Sequence, residues 1–185
     1  MILFLLSACG ADEEGKVSIF DTVMSDYHGL TDGASWTYRD DSPENIESEL
    51  PEEFNLLRVH HETQGVMTIR RGSRWVDASD AGEIIWSSDD GLTLESWSLP
   101  GGLNGSGPLQ VASERPDDNP EIEDGDSRCT TLELSDHETW FGVFDQALQI
   151  DCIGGPFEGR LVFGKRVGVI QLQVDDYGLD LVAPW

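Results

Sequence analysis

Short runs of alternating apolar and polar residues, separated by tight-turn signals, recur along this chain and constrain its fold most strongly. The clearest pair is Glu83 to Ser88 and Leu92 to Trp97, on either side of Asp89-Asp90-Gly91. An Asp-Gly step between two such runs is typical of a β-hairpin, because its turn needs positive φ angles. Helical periodicity is scarce elsewhere. We therefore predict an all-β domain: one strongly curved antiparallel sheet, barrel-like or sandwich, with about ten or more short strands and at most one short helix.

The other predicted strands follow the same pattern. Gln64-Gly65 predicts a second hairpin between Leu56 to Thr63 and Val66 to Arg71. A short helix is predicted at Pro43 to Leu50. The remaining strand candidates are short runs bounded by turn residues: Trp36 to Arg39, Arg74 to Ala78, Leu109 to Ser113, Arg128 to Leu134, His137 to Phe141, Gln146 to Ile153, Gly159 to Phe163, Val167 to Val174 and Leu179 to Val182.

The stretch from about residue 100 to 127 is rich in Gly, Pro and acidic residues, which predicts an irregular acidic loop within a single domain. Glu121 and Glu123 are two positions apart, which is the spacing of carboxylate ligands in a calcium-binding loop. Gly125, however, falls one residue late for a calcium-binding loop. We favour a flexible loop over a specific cation site and predict no metal or cofactor.

The net negative charge of the chain argues against a nucleic-acid partner. The chain has 36 Asp and Glu against 11 Lys and Arg, for a formal net charge of -25. Such a surface repels phosphates, so no nucleic-acid partner is expected. A solvated surface suited to a saline habitat and a cation-binding surface both remain open, and we favour the first.

The start of the chain indicates where the protein resides. An apolar run from Ile2 to Leu6 leads into Leu6-Ser7-Ala8-Cys9, which resembles the lipobox of a bacterial lipoprotein signal peptide. The resemblance implies that residues 1–8 are removed and that Cys9 carries acyl chains such as palmitate. A buried N-terminal strand that ends in Cys is the alternative. No Lys or Arg precedes Cys9, which suggests a start codon further upstream.

The lipobox resemblance also divides the chain. Residues 9–26 become a polar tether and residues 27–185 a single β domain. Gly10 follows the lipidated Cys, and by the sorting rule of some double-membrane bacteria this implies the outer membrane. We therefore expect a protein of the bacterial cell envelope, held in the membrane through its N-terminal lipid.

With Cys9 set aside, two cysteines remain, Cys129 and Cys152. Both lie in predicted strands, and the expected compartment is oxidising. We predict a disulfide between them.

Two segments resemble a loose group of uncharacterised bacterial lipoproteins. The first is Tyr27-His28-Gly29-Leu30-Thr31-Asp32-Gly33-Ala34-Ser35-Trp36-Thr37-Tyr38, and the second is Phe163-Gly164-Lys165-Arg166-Val167-Gly168-Val169-Ile170. The resemblance implies an extracytoplasmic all-β domain. It carries over no activity and no functional residue.

No catalytic motif stands out. His60 and His61 are adjacent in a predicted strand, so they point to opposite faces and do not easily share a metal ion. Gly105-Ser106-Gly107 lacks the strand and helix of a nucleophile elbow. We therefore name no catalytic residue. An extracytoplasmic hydrolase that uses a pair of carboxylates stays open as the alternative function.

The aromatic residues offer the best candidate site. In a curved sheet these rings either fill the core, which is the default, or line a groove for an apolar ligand. From this we predict a lipid-anchored binding or accessory module of the cell envelope, whose partner is a protein or an apolar molecule. The candidate groove residues are the rings of the first predicted strands: Trp36, Tyr38, Trp75, Trp86 and Trp97.

Overall fold

The computed structural model describes residues 23–28, 35–40, 56–62, 66–71, 79–87, 90–99, 102–175 and 177–184. Within these ranges the chain forms one short helix and fourteen strands: α1 Ser25–His28, β1 Ser35–Asp40, β2 Leu56–Glu62, β3 Val66–Arg71, β4 Ser79–Ser87, β5 Leu92–Leu99, β6 Leu103–Ala112, β7 Glu121–Asp124, β8 Ser127–Leu134, β9 His137–Glu138, β10 Val143–Phe144, β11 Ala147–Ile153, β12 Gly159–Gly164, β13 Gly168–Val174 and β14 Tyr177–Pro184.

Twelve of the strands form one sheet, in the order β6-β5-β4-β3-β2-β1-β14-β13-β12-β11-β8-β7. Each neighbouring pair is antiparallel. The two remaining strands, β9 and β10, pair as a separate small hairpin. The prediction of an all-β antiparallel domain is confirmed, and the sheet does not close into a barrel.

The two ends of the sheet nevertheless approach each other. The edge strand β6 lies against β7 and β8. The Gln110 amide donates a 3.1 Å hydrogen bond to the Asp124 side chain on β7, so a carboxylate bridges the two edges. Buried side chains of β1, β4 to β6, β8 and β11 to β14 join in a single hydrophobic cluster. Burial of each large apolar side chain contributes roughly 1.5–3 kcal/mol, so this shared core holds the curled sheet together.

The stretch predicted as an irregular acidic loop contains two strands, β6 and β7, and that prediction is wrong. The physical reason is close packing at the glycines of β6. A Cβ atom on Gly105 would lie 2.0 Å from the Trp97 indole, and one on Gly107 would lie 2.0 Å from the Leu94 carbonyl oxygen. In β6 these glycines therefore allow the backbone of β5 and the Trp97 ring to approach closely, and they do not indicate a loop.

Other boundaries also differ from prediction. The run His137 to Phe141 is not one strand, because β9 stops at Glu138 and a tight turn follows. The described chain includes a helix, α1, that was not predicted, whereas the predicted helix at Pro43 to Leu50 lies outside the described residues, as does Arg74 to Ala78. Met24 is fully buried in the core, so the packed domain reaches into the stretch assigned to the tether.

Cys129 and Cys152 form the predicted disulfide. They face each other across the β8–β11 ladder, and both are buried. The hairpin of β9 and β10 lies between β8 and β11 in sequence. The disulfide therefore closes the loop of chain that carries this hairpin.

Among the described residues, no helix has the length and apolar character needed to cross a membrane.

Candidate functional site

The described members of the predicted aromatic groove lie in the core. Tyr38, Trp86 and Trp97 are all buried in the main hydrophobic cluster. The backbone of Trp36 lies in β1, paired with Val59 of β2. Trp75 and the lipidation residue Cys9 lie outside the described residues. The groove as a ligand site therefore stays a prediction.

Contacts at two of these rings show how they serve the fold. The Trp97 ring meets Phe157 edge to face, with ring centroids 5.5 Å apart, and covers Gly105. The Tyr38 hydroxyl donates a hydrogen bond to the backbone oxygen of Val169. Complete burial raises the pKa of the Tyr38 phenol, so it stays protonated as a donor. The Trp97 ring thus links β5 to the connection between β11 and β12, and the Tyr38 hydroxyl links β1 to β13.

A different set of apolar side chains is exposed on the small hairpin, residues 137–144. Trp140 is 58% exposed, Phe141 51% and Val143 65%. We call these three residues the aromatic tip. Large apolar groups grouped at one point of a surface indicate an interaction site more strongly than scattered ones do.

The aromatic tip is built on an unusual turn. Gly142 donates to the Thr139 carbonyl at 3.1 Å, and Thr139 donates to the Gly142 carbonyl at 2.9 Å. These bonds make residues 139–142 a β-turn whose two corner positions are Trp140 and Phe141. Corner positions favour Gly, Pro, Asn, Asp and Ser, so two bulky rings there are not explained by turn formation.

The corner amides are held by the large sheet. The Trp140 amide donates to the Asp180 carboxylate at 3.1 Å, and the Phe141 amide donates to the Leu181 carbonyl at 2.9 Å. Asp180 itself is buried on β14. Both corner amides are therefore bonded to β14, which fixes the orientation of the turn while Trp140 and Phe141 stay more than half exposed.

The base of the hairpin packs on β12. Phe144 is half-buried, and a Cβ atom on Gly164 would lie 3.0 Å from its ring, so the glycine leaves room for it. The Phe141 and Phe144 rings are tilted, with centroids 6.1 Å apart. His137, beside Phe144 in the hairpin, has a buried Nε2 without a hydrogen-bond partner. Burial, and then the nearby Arg160, lower the pKa of His137 below its usual value.

The surroundings of the aromatic tip are acidic. Asp136, Glu138 and Asp145 are exposed, and residues 135–146 contain no Lys or Arg. Among the nearest basic residues, Arg160 forms a 2.6 Å ion pair with Asp151, and Lys165 lies 3.4 Å from a carboxylate oxygen of Asp26. The exposed charged residues that neighbour the tip in sequence are therefore all negative, and we call Asp136, Glu138 and Asp145 its rim.

Buried polar groups also occur in α1 and in β8. The hydroxyls of Tyr27 and Thr131 are buried without hydrogen-bond partners. Burial, then the carboxylates Glu133, Asp26 and Asp117, raise the pKa of Tyr27 to about 12. In the part of the chain that the structure describes, no group of three or more His, Cys, Asp or Glu side chains is arranged to hold a metal ion.

Trp140 falls within the predicted strand His137 to Phe141, so its turn position was not expected. The sequence Thr139-Trp140-Phe141-Gly142 did contain a signal for a turn, namely the glycine that follows the two aromatic residues. In the structure this glycine has a φ of 150°. That glycine sits where a tight turn ends. The residues that orient the tip, Asp180 and Leu181, come from the far end of the chain and leave no local signal.

No protein-family model matches the chain, and no curated protein matches it. A crystal structure described as that of "a putative lipoprotein from Parabacteroides distasonis" resembles it with a TM-score of 0.40 and 11% sequence identity, over 89% of this chain and 99% of that chain. The function proposed below is therefore built on this chain's own residues.

Proposed function

We propose that this protein is a lipid-anchored binding module of the bacterial cell envelope and that it holds a partner with its aromatic tip. The anchor is supported by the lipobox-like segment Leu6-Ser7-Ala8-Cys9. The binding role is supported by the exposed rings of Trp140 and Phe141. An accessory role of this kind needs a contact surface and no catalytic group.

The observation that carries the proposal is the fixed orientation of exposed apolar side chains. Trp140 and Phe141 sit at turn corners where small or polar residues are favoured, and their amides are bonded to β14. Both rings are more than half exposed, so less than half of each is buried by the fold. Rigid rings that are already oriented lose little conformational entropy when a partner covers them, which favours binding.

The binding role is tested with the full-length, affinity-tagged protein purified gently from its own envelope. We compare the wild type with a W140S/F141S variant and with an L132S/I153S control. Leu132 and Ile153 are exposed apolar residues on the large sheet, 46% and 58% exposed. We expect the tip variant to lose a co-purifying partner that the control retains. Equal recovery from both variants would overturn the proposal.

The anchor is tested separately by growing cells with labelled palmitate. The wild type is expected to incorporate the label and to fractionate with membranes, whereas Cys9→Ser incorporates none and is released. Fractionation of the two membranes tests the outer-membrane location that Gly10 implies. An unlabelled wild type would contradict the lipid anchor without affecting the test of the tip.

A further inference from the structure

The chemistry of the aromatic tip restricts what can cover it. Its centre consists of two aromatic rings and Val143, and its rim carries the exposed carboxylates Asp136, Glu138 and Asp145. A complementary surface therefore has an apolar recess at its centre and positive charge around it. Aromatic anchors in a recess commonly carry much of the binding energy of a protein interface.

A lipid surface fits this pattern poorly. Aromatic residues do favour the membrane interface, but anionic headgroups repel a carboxylate rim and attract Lys and Arg. Residues 135–146 contain neither of these basic residues. A second copy of the chain fits poorly as well, because each copy has a net charge of -25 and presents the same negative rim.

We infer that the aromatic tip inserts into an apolar recess of another protein, and that Lys and Arg side chains border this recess. The inference rests on the proposed function, because it identifies the kind of partner that the tip contacts. The rings supply the apolar contact. The rim carboxylates attract the basic border, which speeds association and excludes acidic surfaces.

The test places a photo-reactive benzoylphenylalanine at Val143 in the full-length protein and illuminates intact cells. Val143 is the most exposed member of the tip, and its replacement removes no contact of the core. Adducts are identified by mass spectrometry as protein or lipid, and the attachment site on a protein adduct is mapped.

Charge dependence is measured in the same photo-reactive background. D136N/E138Q/D145N neutralises the rim, and E121Q/D126N/E158Q is the matched control. Both variants remove three negative charges from exposed residues. We expect a protein adduct whose attachment site contains apolar residues flanked by Lys or Arg. Its yield should fall about tenfold in the rim variant and change less than about twofold in the control.

The possible failures are distinguishable. A protein adduct whose yield is equal in the rim variant and the control overturns the basic border but leaves the tip as a contact surface. Lipid adducts, or adducts between two copies of this chain, overturn the inferred protein partner. They still leave the tip as a contact surface. If there is no adduct, and W140S/F141S also retains its partners, both the inference and the proposed function fail.

Discussion

Trp97 and Trp140 are the same residue type in two opposite environments. Trp97 is 4% exposed, covers Gly105 and meets Phe157 in the core. Trp140 is 58% exposed at a turn corner of a two-stranded hairpin. The core ring stabilises the sheet through the neighbours that it touches. The tip residue is held through its backbone amide, while its side chain stays more than half exposed.

Aromatic content alone therefore does not identify a binding site in this chain. The described rings that were predicted to line a groove, Tyr38, Trp86 and Trp97, pack in the core. The exposed ring of Trp140 lies instead in a stretch that was predicted to be an ordinary strand. The two regions should therefore respond in opposite ways to substitution. Changes in the core should affect stability, and changes at the tip should affect binding.

The largest effect should come from truncating the two tryptophans. Trp97→Ala leaves a cavity beside Phe157 and Gly105, and we expect it to reduce the free energy of unfolding by about 3–5 kcal/mol. Trp140→Ala should reduce it by less than about 0.5 kcal/mol. Denaturant unfolding followed by circular dichroism measures both. Similar losses of stability for the two variants would contradict the difference between a core Trp97 and an exposed Trp140.

The next effect concerns the disulfide that closes the loop around the hairpin. The sequence separation of Cys129 and Cys152 is 23 residues. C129A/C152A should lower the free energy of unfolding by about 3 kcal/mol, because the unfolded chain regains its loop entropy. Reduction of the wild type with a thiol should reproduce the loss. A stability that is unchanged in both experiments would contradict a structural role for the bond.

Removal of the carboxylate behind the tip should loosen the hairpin. Asp180→Ala takes away the acceptor of the Trp140 amide, at a cost of about 1.5–3 kcal/mol. Hydrogen exchange at the Trp140 amide should quicken. Asp180→Asn, which keeps a side-chain oxygen, is the control and should retain more protection. Unchanged exchange in the alanine variant would show that the tip is held by other contacts.

The smallest effect should be a pH dependence centred on the hairpin. The pKa of His137 in the folded protein lies below its usual 6.5, first through burial and then through Arg160. The folded state therefore binds fewer protons than the unfolded state as the pH falls below 6.5, and stability is lost in that direction. His137→Asn should weaken this dependence. Identical pH profiles for thermal unfolding of the two proteins would rule it out.

The parts of the fold that the sequence could predict are those with local signals. Asp89-Asp90-Gly91 predicts a hairpin, and β4 and β5 form one around it. Cys129 and Cys152 lie in alternating runs that pair as neighbours. Each of these inferences needs only the residues of two adjacent strands.

The parts that sequence reasoning missed depend on distant residues. β6 resembles a loop because of its glycines, and their purpose becomes clear only when Trp97 lies over Gly105. The orientation of Trp140 depends on Asp180, forty residues further along the chain. A propensity read from a single sequence cannot include such contacts, since they form only once the sheet has assembled.

Hydroxyl-radical footprinting tests most directly whether the aromatic tip contacts a partner. It is applied to the full-length protein both after purification and in intact envelopes. We predict that Trp140 and Phe141 are oxidised in the purified protein and protected in the envelope. Leu132 and Ile153 should be labelled equally in both, and the buried Trp86 and Trp97 should stay unlabelled. Equal labelling of Trp140 and Phe141 in the two samples would contradict the claim that the aromatic tip is where this protein meets its partner.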